Sequence, residues 1–180
     1  MIGSRVTLRY ARALFELARD KNLLEGVESD LNELVTVYRQ DPRLAILFES
    51  PVIQRREKQK VIKTLFEKKI HPITFYFLNL LIEKKREELL LTVIQKFQEI
   101  LDDHRNVVRG ELITAYEFSD EQLKLLKEKL DRYTGKTVMI TQILNPDLLG
   151  GFVIRIKDTV IDTSLKNQLA RMREQLIAGG

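Results

Sequence analysis

The sequence has no cysteine and only two histidines among its 180 residues. Without cysteine, a disulfide framework, a thiolate nucleophile and a sulfur-ligated metal site are all excluded. Neither His71 nor His104 has a second histidine four positions away, as a helical zinc site would require. No pair of carboxylates stands out as a candidate for acid–base catalysis. The sequence therefore predicts no enzyme activity, no cofactor and no metal site.

Long hydrophobic runs are also missing. The longest apolar stretch, Phe75 to Ile82, is interrupted by Asn79 and is far shorter than the roughly 20 apolar residues of a membrane-spanning helix. Arginines interrupt the N-terminal segment every few positions, so this segment lacks the continuous apolar core of a secretory signal. The sequence predicts no direct membrane insertion, and any attachment to a membrane is expected to go through a partner.

A phosphate-binding loop is incomplete in this sequence. The tripeptide Gly135-Lys136-Thr137 has the residue types that end such a loop, but Leu130 occupies the position of its first glycine. The tripeptide also runs from a predicted helix into a predicted strand, which is the reverse of the order in a phosphate loop. A nucleotide site is therefore not predicted.

Hydrophobic spacing predicts a helical N-terminal region. From Ser4 to about His104, apolar residues recur at three- and four-residue steps, which is typical of helices packed on a core. Asp41-Pro42 predicts the start of a helix, and Ser50-Pro51 and His71-Pro72 interrupt the helical pattern. We interpret residues 1–105 as a six-helix bundle.

The pattern changes after Arg105. β-branched residues and a period of two predict strands over Val107–Thr114 and Thr137–Leu144. Between these strands, Ser119 and Gln122 have the spacing of a capping box at the start of a helix. The chain therefore switches from a helical to a mixed domain near residues 103–106.

The last fifth of the chain predicts a hairpin and a final helix. Phe152–Lys157 is expected to pair with Val160-Ile161, after a turn at Asn145-Pro146-Asp147 and the pair Gly150-Gly151. Ser164 is placed to cap the last helix. The predicted fold class is mainly α, with the helical bundle followed by a small α+β module over residues 106–180.

Two helices carry more apolar surface than one core contact requires. Between Ile73 and Ile82 in the fifth helix, only Thr74 and Asn79 are polar. The apolar residues of the first helix sweep about 220° at roughly 100° per residue, whereas a surface helix needs somewhat more than 100°. They form two groups: Val6, Tyr10, Ala13, Leu14 and Leu17 in one, and Leu8, Ala11, Phe15 and Ala18 in the other. Either these helices are the innermost of the bundle, or an apolar groove between them accepts a partner helix.

A basic cluster offers a rival function. Phosphate contacts to nucleic acid come from lysine and arginine, but Glu57 and Glu67 interrupt this cluster and no aromatic residue interleaves with it. A solvated helix face explains the cluster equally well. Its members are Arg55, Arg56, Lys58, Lys60, Lys63, Lys68 and Lys69. The sequence therefore favours no direct nucleic-acid partner, while leaving a basic nucleic-acid-binding protein as the alternative.

Two segments resemble a known family. The first is Arg9-Tyr10-Ala11-Arg12-Ala13-Leu14-Phe15, and the second runs from Leu148 through Gly150-Gly151 and the hairpin to Ile161-Asp162-Thr163-Ser164. Both are similar to the delta subunit of rotary (F-type) ATP synthase, the bacterial counterpart of the oligomycin-sensitivity-conferring protein. The second segment is the more specific, and the predicted order of elements resembles the family over the whole length. Lys157 and Thr163 depart from the commoner family pattern.

The resemblance implies a non-catalytic stator subunit. The helical domain would bind N-terminal helices of the alpha subunits of the catalytic head, and the C-terminal module would bind the b-type peripheral stalk. This joint would couple rotor torque to ATP synthesis. The implied location is the cytoplasmic face of the cell membrane, as a peripheral protein of the complex.

The resemblance also implies site residues. The groove for the alpha-subunit helix would lie between the first and fifth helices and involve Val6, Tyr10, Ala13, Leu17, Tyr76 and Leu80. A C-terminal seam would either pack on its own sheet or receive the stalk, through Leu165, Leu169, Met172 and Leu176. Structural roles are expected for Gly150, Gly151, Asp162 and Ser164, the glycines because positive φ or close backbone approach excludes a β-carbon.

Overall fold

The computed structural model describes residues 2–50 and 52–178, with side chains described for residues 5–50 and 52–174. The described chain is mainly helical and has a small four-stranded sheet in its C-terminal part. It divides into two compact units, Met1–Leu101 (unit 1) and Asp102–Gly180 (unit 2). No described helix is long and apolar enough to cross a membrane.

Unit 1 consists of helices that share one apolar core. In chain order they are α1 (Ile2–Asp20), α2 (Leu24–Gln40), α3 (Pro42–Glu49), α4 (Arg55–Phe66), α5 (Pro72–Glu83), a short 3-10 helix (Glu87–Leu89) and α6 (Leu90–His104). Asp41 caps α3 as predicted, because its carboxylate accepts a hydrogen bond from the Arg43 backbone N–H at 3.0 Å. The largest fully buried side chains of this core include Leu31, Ile62, Leu78, Leu81 and Phe97.

Unit 2 is a sheet with one helix on its face. The strands β1 (Val107–Thr114), β2 (Thr137–Leu144), β3 (Phe152–Ile156) and β4 (Thr159–Asp162) lie in the order β2-β1-β3-β4. The β1–β2 pair is parallel, and α7 (Asp120–Thr134) connects these two strands. The predicted hairpin is confirmed as the antiparallel β3–β4 pair. Helix α8 (Leu165–Ala178) ends the described chain.

The capping box of α7 is present as predicted. The Gln122 N–H donates to the Ser119 hydroxyl at 3.3 Å, and the Ser119 N–H donates to the Gln122 side chain at 3.0 Å. The apolar side of α7 then packs on one face of the sheet, burying Val108, Leu112, Leu130, Val138, Ile154 and Ile156.

Ion pairs hold residues 102 and 103 to the sheet. Asp102 binds the Arg109 guanidinium through both carboxylate oxygens, at 2.6 and 2.9 Å. Asp103 accepts hydrogen bonds from the Lys157 and Lys136 ammonium groups, each at 3.3 Å. The Lys157 and Lys136 hydrogen bonds lower the pKa of Asp103. Asp102 and Asp103 lie at the end of α6 and belong to unit 2.

Candidate functional site

Helices α1 and α5 contact each other through two aromatic rings. The centroids of Tyr10 and Phe77 are 6.4 Å apart at an interplanar angle of 68°, which is a favourable edge-to-face arrangement. Beside this contact, both helices leave apolar side chains in solvent. We define the α1–α5 strip as Val6, Tyr10, Ala13 and Leu17 of α1 with Tyr76 and Leu80 of α5.

The strip is accessible in the isolated chain. Leu17 is 47% exposed, Leu80 is 39% exposed and Tyr76 is 72% exposed. Ala13 is also exposed, whereas Val6 and Tyr10 are half-buried. A small residue such as Ala13 within the strip leaves room for a partner backbone to approach closely.

The apolar arc of α1 is divided between core and surface. Ala11, Phe15 and Ala18 of the second group are buried together with Leu14, and Phe15 packs on Phe97 with centroids 6.2 Å apart. Leu8 of the same group is 39% exposed. The first group is divided as well, because Leu14 is buried while Ala13 and Leu17 are exposed.

A buried carboxylate fixes the start of α5. Asp30 of α2 is 5% exposed, and its Oδ2 accepts hydrogen bonds from the His71 N–H and the Thr74 hydroxyl, both at 2.7 Å. The His71 ring nitrogen Nδ1 lies 3.1 Å from the same oxygen. Negative charge at a helix N-terminus is favourable, so Asp30 stabilises the position of the helix that carries Tyr76 and Leu80.

The His71 ring also explains a glycine in α2. A β-carbon at Gly26 would lie 2.6 Å from the ring atom Cε1 of His71, which is too close for any larger residue without a shift. Sequence reasoning missed both Gly26 and Asp30. The available signal was the spacing Val27, Asp30, Leu31 and Leu34, which places an acidic residue on the buried stripe of α2.

The basic cluster on α4 and the residues just after it is smaller than the sequence indicates. Lys58 is not part of an exposed cationic face, because its ammonium lies 2.5 Å from Glu87 with both side chains largely buried. It also donates a hydrogen bond to the Phe48 carbonyl at 3.4 Å. Lys63 lies 3.6 Å from Glu67 in an exposed pair. The structure therefore removes Lys58 from the candidate phosphate contacts.

Gly135 ends a helix. Its φ is +66°, and its N–H donates to the Asp131 carbonyl at 2.9 Å, which is the left-handed C-cap geometry that glycine favours. The tripeptide Gly135-Lys136-Thr137 thus leads from α7 into β2, as predicted. Among the described residues, no cluster of three or more His, Cys, Asp or Glu side chains could hold a metal ion.

Gly151 has a backbone that other residues rarely adopt. Its φ is +72°, and a β-carbon there would lie 2.3 Å from the Thr163 carbonyl oxygen. Gly150 is close to a flexible side chain instead, since its β-carbon would lie 2.7 Å from Cδ1 of Leu165. Lys157, which stands where glycine is common in the family, has a φ of +49° in the hairpin turn.

Asp162 and Ser164 form the cap of α8. The Asp162 Oδ1 accepts hydrogen bonds from the Ser164 hydroxyl at 2.7 Å and from the Ser164 N–H at 2.9 Å. These hydrogen bonds, the hydroxyl contact first, lower the pKa of Asp162. The Ser164 hydroxyl in turn accepts from the Asn167 N–H at 3.3 Å, so Ser164 is the predicted helix cap.

The C-terminal seam lies at the surface. Leu165 is 47% exposed, Leu169 is 58% exposed and Met172 is 60% exposed. The side chain of Leu176 lies outside the described residues. These three side chains are thus about half exposed in the free chain.

Comparison with known proteins assigns the family. The family profile described as "ATP synthase delta (OSCP) subunit" matches residues 6–176. The chain is 35% identical over 178 residues to "ATP synthase subunit delta" of Symbiobacterium thermophilum, covering 99% of this chain and 96% of that protein. It is 38% identical over 171 residues to the protein of the same name from Carboxydothermus hydrogenoformans, with 95% and 96% covered.

Solved structures share the fold. A chain in the cryo-EM structure of the Toxoplasma gondii mitochondrial ATP synthase hexamer superimposes with a TM-score of 0.71 at 24% identity, covering 95% of this chain and 97% of that chain. A chain in the Polytomella F-ATP synthase matches 54% of this chain and 87% of its own length, with a TM-score of 0.52 and 21% identity. From the family match and the curated relatives, this chain belongs to the ATP synthase delta (OSCP) subunit family.

Proposed function

We propose that this chain is a stator subunit that joins the catalytic head of the ATP synthase to the peripheral stalk. Unit 1, formed by α1 to α6, binds N-terminal helices of the alpha subunits through the α1–α5 strip. Unit 2 binds b-type stalk subunits. The observation that carries the proposal is the strip itself, where Leu17, Tyr76 and Leu80 are exposed beside a dense core. Members of this family are structural rather than catalytic subunits.

The strip has the chemistry of a helix-binding surface. An amphipathic helix binds an apolar groove through anchors spaced about one turn apart, and Tyr10, Ala13 and Leu17 are spaced by three and four residues on α1. Interface energy concentrates in a few buried aromatic and apolar contacts. Of the two tyrosines in the strip, Tyr76 is 72% exposed and has more surface to lose on binding than the half-buried Tyr10.

Charges beside the strip specify the partner further. Arg5, Arg9 and Arg12 are exposed along α1 and make no ion pair with a described residue, whereas Glu16 is the acidic residue of the same face. A partner helix with acidic residues flanking its apolar side would be attracted to this face. Such rim charges mainly accelerate association and make it sensitive to salt.

A stator subunit must also dissociate slowly from its partners while torque acts on the complex. A nanomolar dissociation constant corresponds to roughly 12 kcal/mol, which apolar anchors are able to supply and an exposed salt bridge is not. The exposed seam of Leu165, Leu169 and Met172 on α8 offers the stalk a second apolar surface. Binding at both surfaces would hold the head still, at the cytoplasmic face of the cell membrane.

The direct test is binding of the purified catalytic head to variants of the full chain. We expect Tyr10→Ala and Ala13→Asp to weaken binding by at least tenfold while circular dichroism shows an unchanged fold. Leu169→Ala is the matched control, because it removes an exposed apolar side chain in unit 2. If Ala13→Asp binds the head like the unmodified chain, the strip is not the binding surface.

A further inference from the structure

The edge of the sheet in unit 2 has an unused strand surface. Strand β2 pairs with β1 on one side and has no described strand on the other. It is eight residues long, Thr137–Leu144, and contains no charged residue, proline or glycine. Natural edge strands are usually short or protected by charges, prolines or bulges, because open backbone groups pair with other chains. The opposite edge, β4, is only four residues long and ends at Asp162.

The hydrogen bonds show which backbone groups face outward. The N–H groups of Thr137 and Asn145 donate to the carbonyls of Asn106 and Thr114, toward β1. Because backbone groups alternate along a strand, those of the even-numbered residues point away from β1. The first outward N–H, of Val138, donates to the Asp131 carboxylate at 2.6 Å.

Three further outward N–H groups lack such a partner. Those of Ile140, Gln142 and Leu144 make no hydrogen bond to a described residue. The Asp131 contact closes the beginning of the edge, so the open part runs from Ile140 to Leu144. This segment is long enough to form a short ladder with one added strand.

Side chains next to the edge indicate the chemistry of the occupant. Leu123, Lys124 and Lys127 of α7 and Val138, Met139 and Ile140 of β2 line an open groove along this edge. Lys124 and Lys127 are exposed and make no ion pair with a described residue. Along the same strand, Met139 is 50% exposed and Ile143 is 39% exposed. The groove is therefore apolar at its base and positive at its rim.

We propose that β2 is a docking edge for an extended segment of another ATP synthase subunit. The segment adds a fifth strand beside residues 140–144, with acidic side chains toward Lys124 and Lys127 and apolar side chains over the groove. Main-chain hydrogen bonds supply affinity in this mode of binding, and the side-chain groove supplies specificity. The site is independent of the α1–α5 strip and of the seam on α8.

Amide hydrogen exchange, resolved to single residues, tests the proposal in the free full-length chain and in the assembled ATP synthase. We expect the N–H groups of Ile140, Gln142 and Leu144 to exchange at least tenfold more slowly in the complex. Equal rates in the two states would overturn the proposal. Loss of the α1–α5 contact would not move these amides, so the two ideas fail separately.

A pair of variants distinguishes an added strand from a partner that shields the β2 edge without pairing with it. Leu144→Pro removes one outward N–H and leaves the ladder to β1 intact, whereas Leu144→Ala removes only the exposed side chain. In the complex, we expect the proline variant to lose the protection of Ile140 and Gln142 and the alanine variant to keep it. We also expect Lys124→Glu with Lys127→Glu to reduce the protection. Retained protection in the proline variant would contradict an added strand.

Discussion

Units 1 and 2 differ in how completely they bury their apolar side chains. In unit 1, helices from α1 to α6 share one core in which Leu31, Leu81 and Phe97 are fully buried. In unit 2, α7 covers one face of the sheet, while the described seam of α8 remains about half exposed. The exposed apolar residues of unit 1 thus lie beside a core that is already densely packed. We therefore expect substitutions of these residues to leave the fold of unit 1 unchanged. In unit 2, by contrast, the exposed apolar residues include the described seam of α8.

The first prediction concerns a charge inside the deeper core. In Lys58→Met, the buried Glu87 carboxylate loses its ion-pair partner. Its other oxygen, Oε2, already makes no hydrogen bond to a described residue. Breaking a buried ion pair costs about 3–5 kcal/mol, whereas replacing both partners by apolar residues is often neutral. We therefore expect a large loss of stability in Lys58→Met and recovery in Lys58→Met with Glu87→Leu, measured by urea unfolding. A loss below 1 kcal/mol in the single variant would show that the pair is dispensable.

The second prediction compares two neighbouring leucines of α5. Leu81 is fully buried, but Leu80 is 39% exposed. Leu81→Ala is expected to lower the free energy of unfolding by about 2–5 kcal/mol because it creates a core cavity. Leu80→Ala should cost less than about 1 kcal/mol and weaken binding of the catalytic head. Similar losses of stability in the two variants would mean that the strip belongs to the core.

The third prediction compares two glycines of unit 2 with left-handed backbones. Strain at such a φ costs about 1–3 kcal/mol. Gly135→Ala should lose only this much free energy of unfolding, because no atom lies within 4 Å of the new β-carbon. Gly151→Val should lose more, because the new β-carbon would also meet the Thr163 carbonyl. Thermal unfolding of unit 2 provides the measurement. A melting temperature unchanged by Gly151→Val would contradict this account of the turn.

The smallest effect is a pH dependence at the start of α8. Hydrogen bonds from Ser164 hold the pKa of Asp162 below its ordinary value. Because the folded-state pKa is the lower one, the stabilisation is present above the unfolded pKa of about 4 and is lost as the pH falls through the folded value. Asp162→Asn should therefore be less stable than the unmodified chain at pH 7, with the difference shrinking below pH 4. A difference that is constant with pH would exclude the carboxylate as its cause.

Much of the fold could be predicted from local patterns. The cap at Asp41, the capping box at Ser119 and the β3–β4 hairpin each depend on residues close in sequence, and the structure contains all three. The contact of Asp30 with the start of α5 joins residues 41 positions apart, and that of Lys58 with Glu87 joins residues 29 positions apart. Neither pairing has a local signature, which is why Lys58 resembled a surface cation.

The candidate site was predictable in part for the same reason. The wide apolar arcs of α1 and α5 indicate that these helices carry more apolar surface than one core contact covers. The arcs do not indicate which side of each helix faces solvent. The structure divides the arc of α1, placing Ala11 and Phe15 in the core and Leu17 at the surface. That division depends on how the helices pack together, and single-helix periodicity does not contain this information.

The most direct test of the central claim is an NMR titration of the labelled full-length chain with a synthetic peptide of the alpha-subunit N-terminus from the same organism. The account predicts saturable shifts centred on Tyr10, Ala13, Leu17, Tyr76 and Leu80, with unit 2 unperturbed. Shifts confined to the basic residues of α4, or an unchanged spectrum at millimolar peptide, would contradict it.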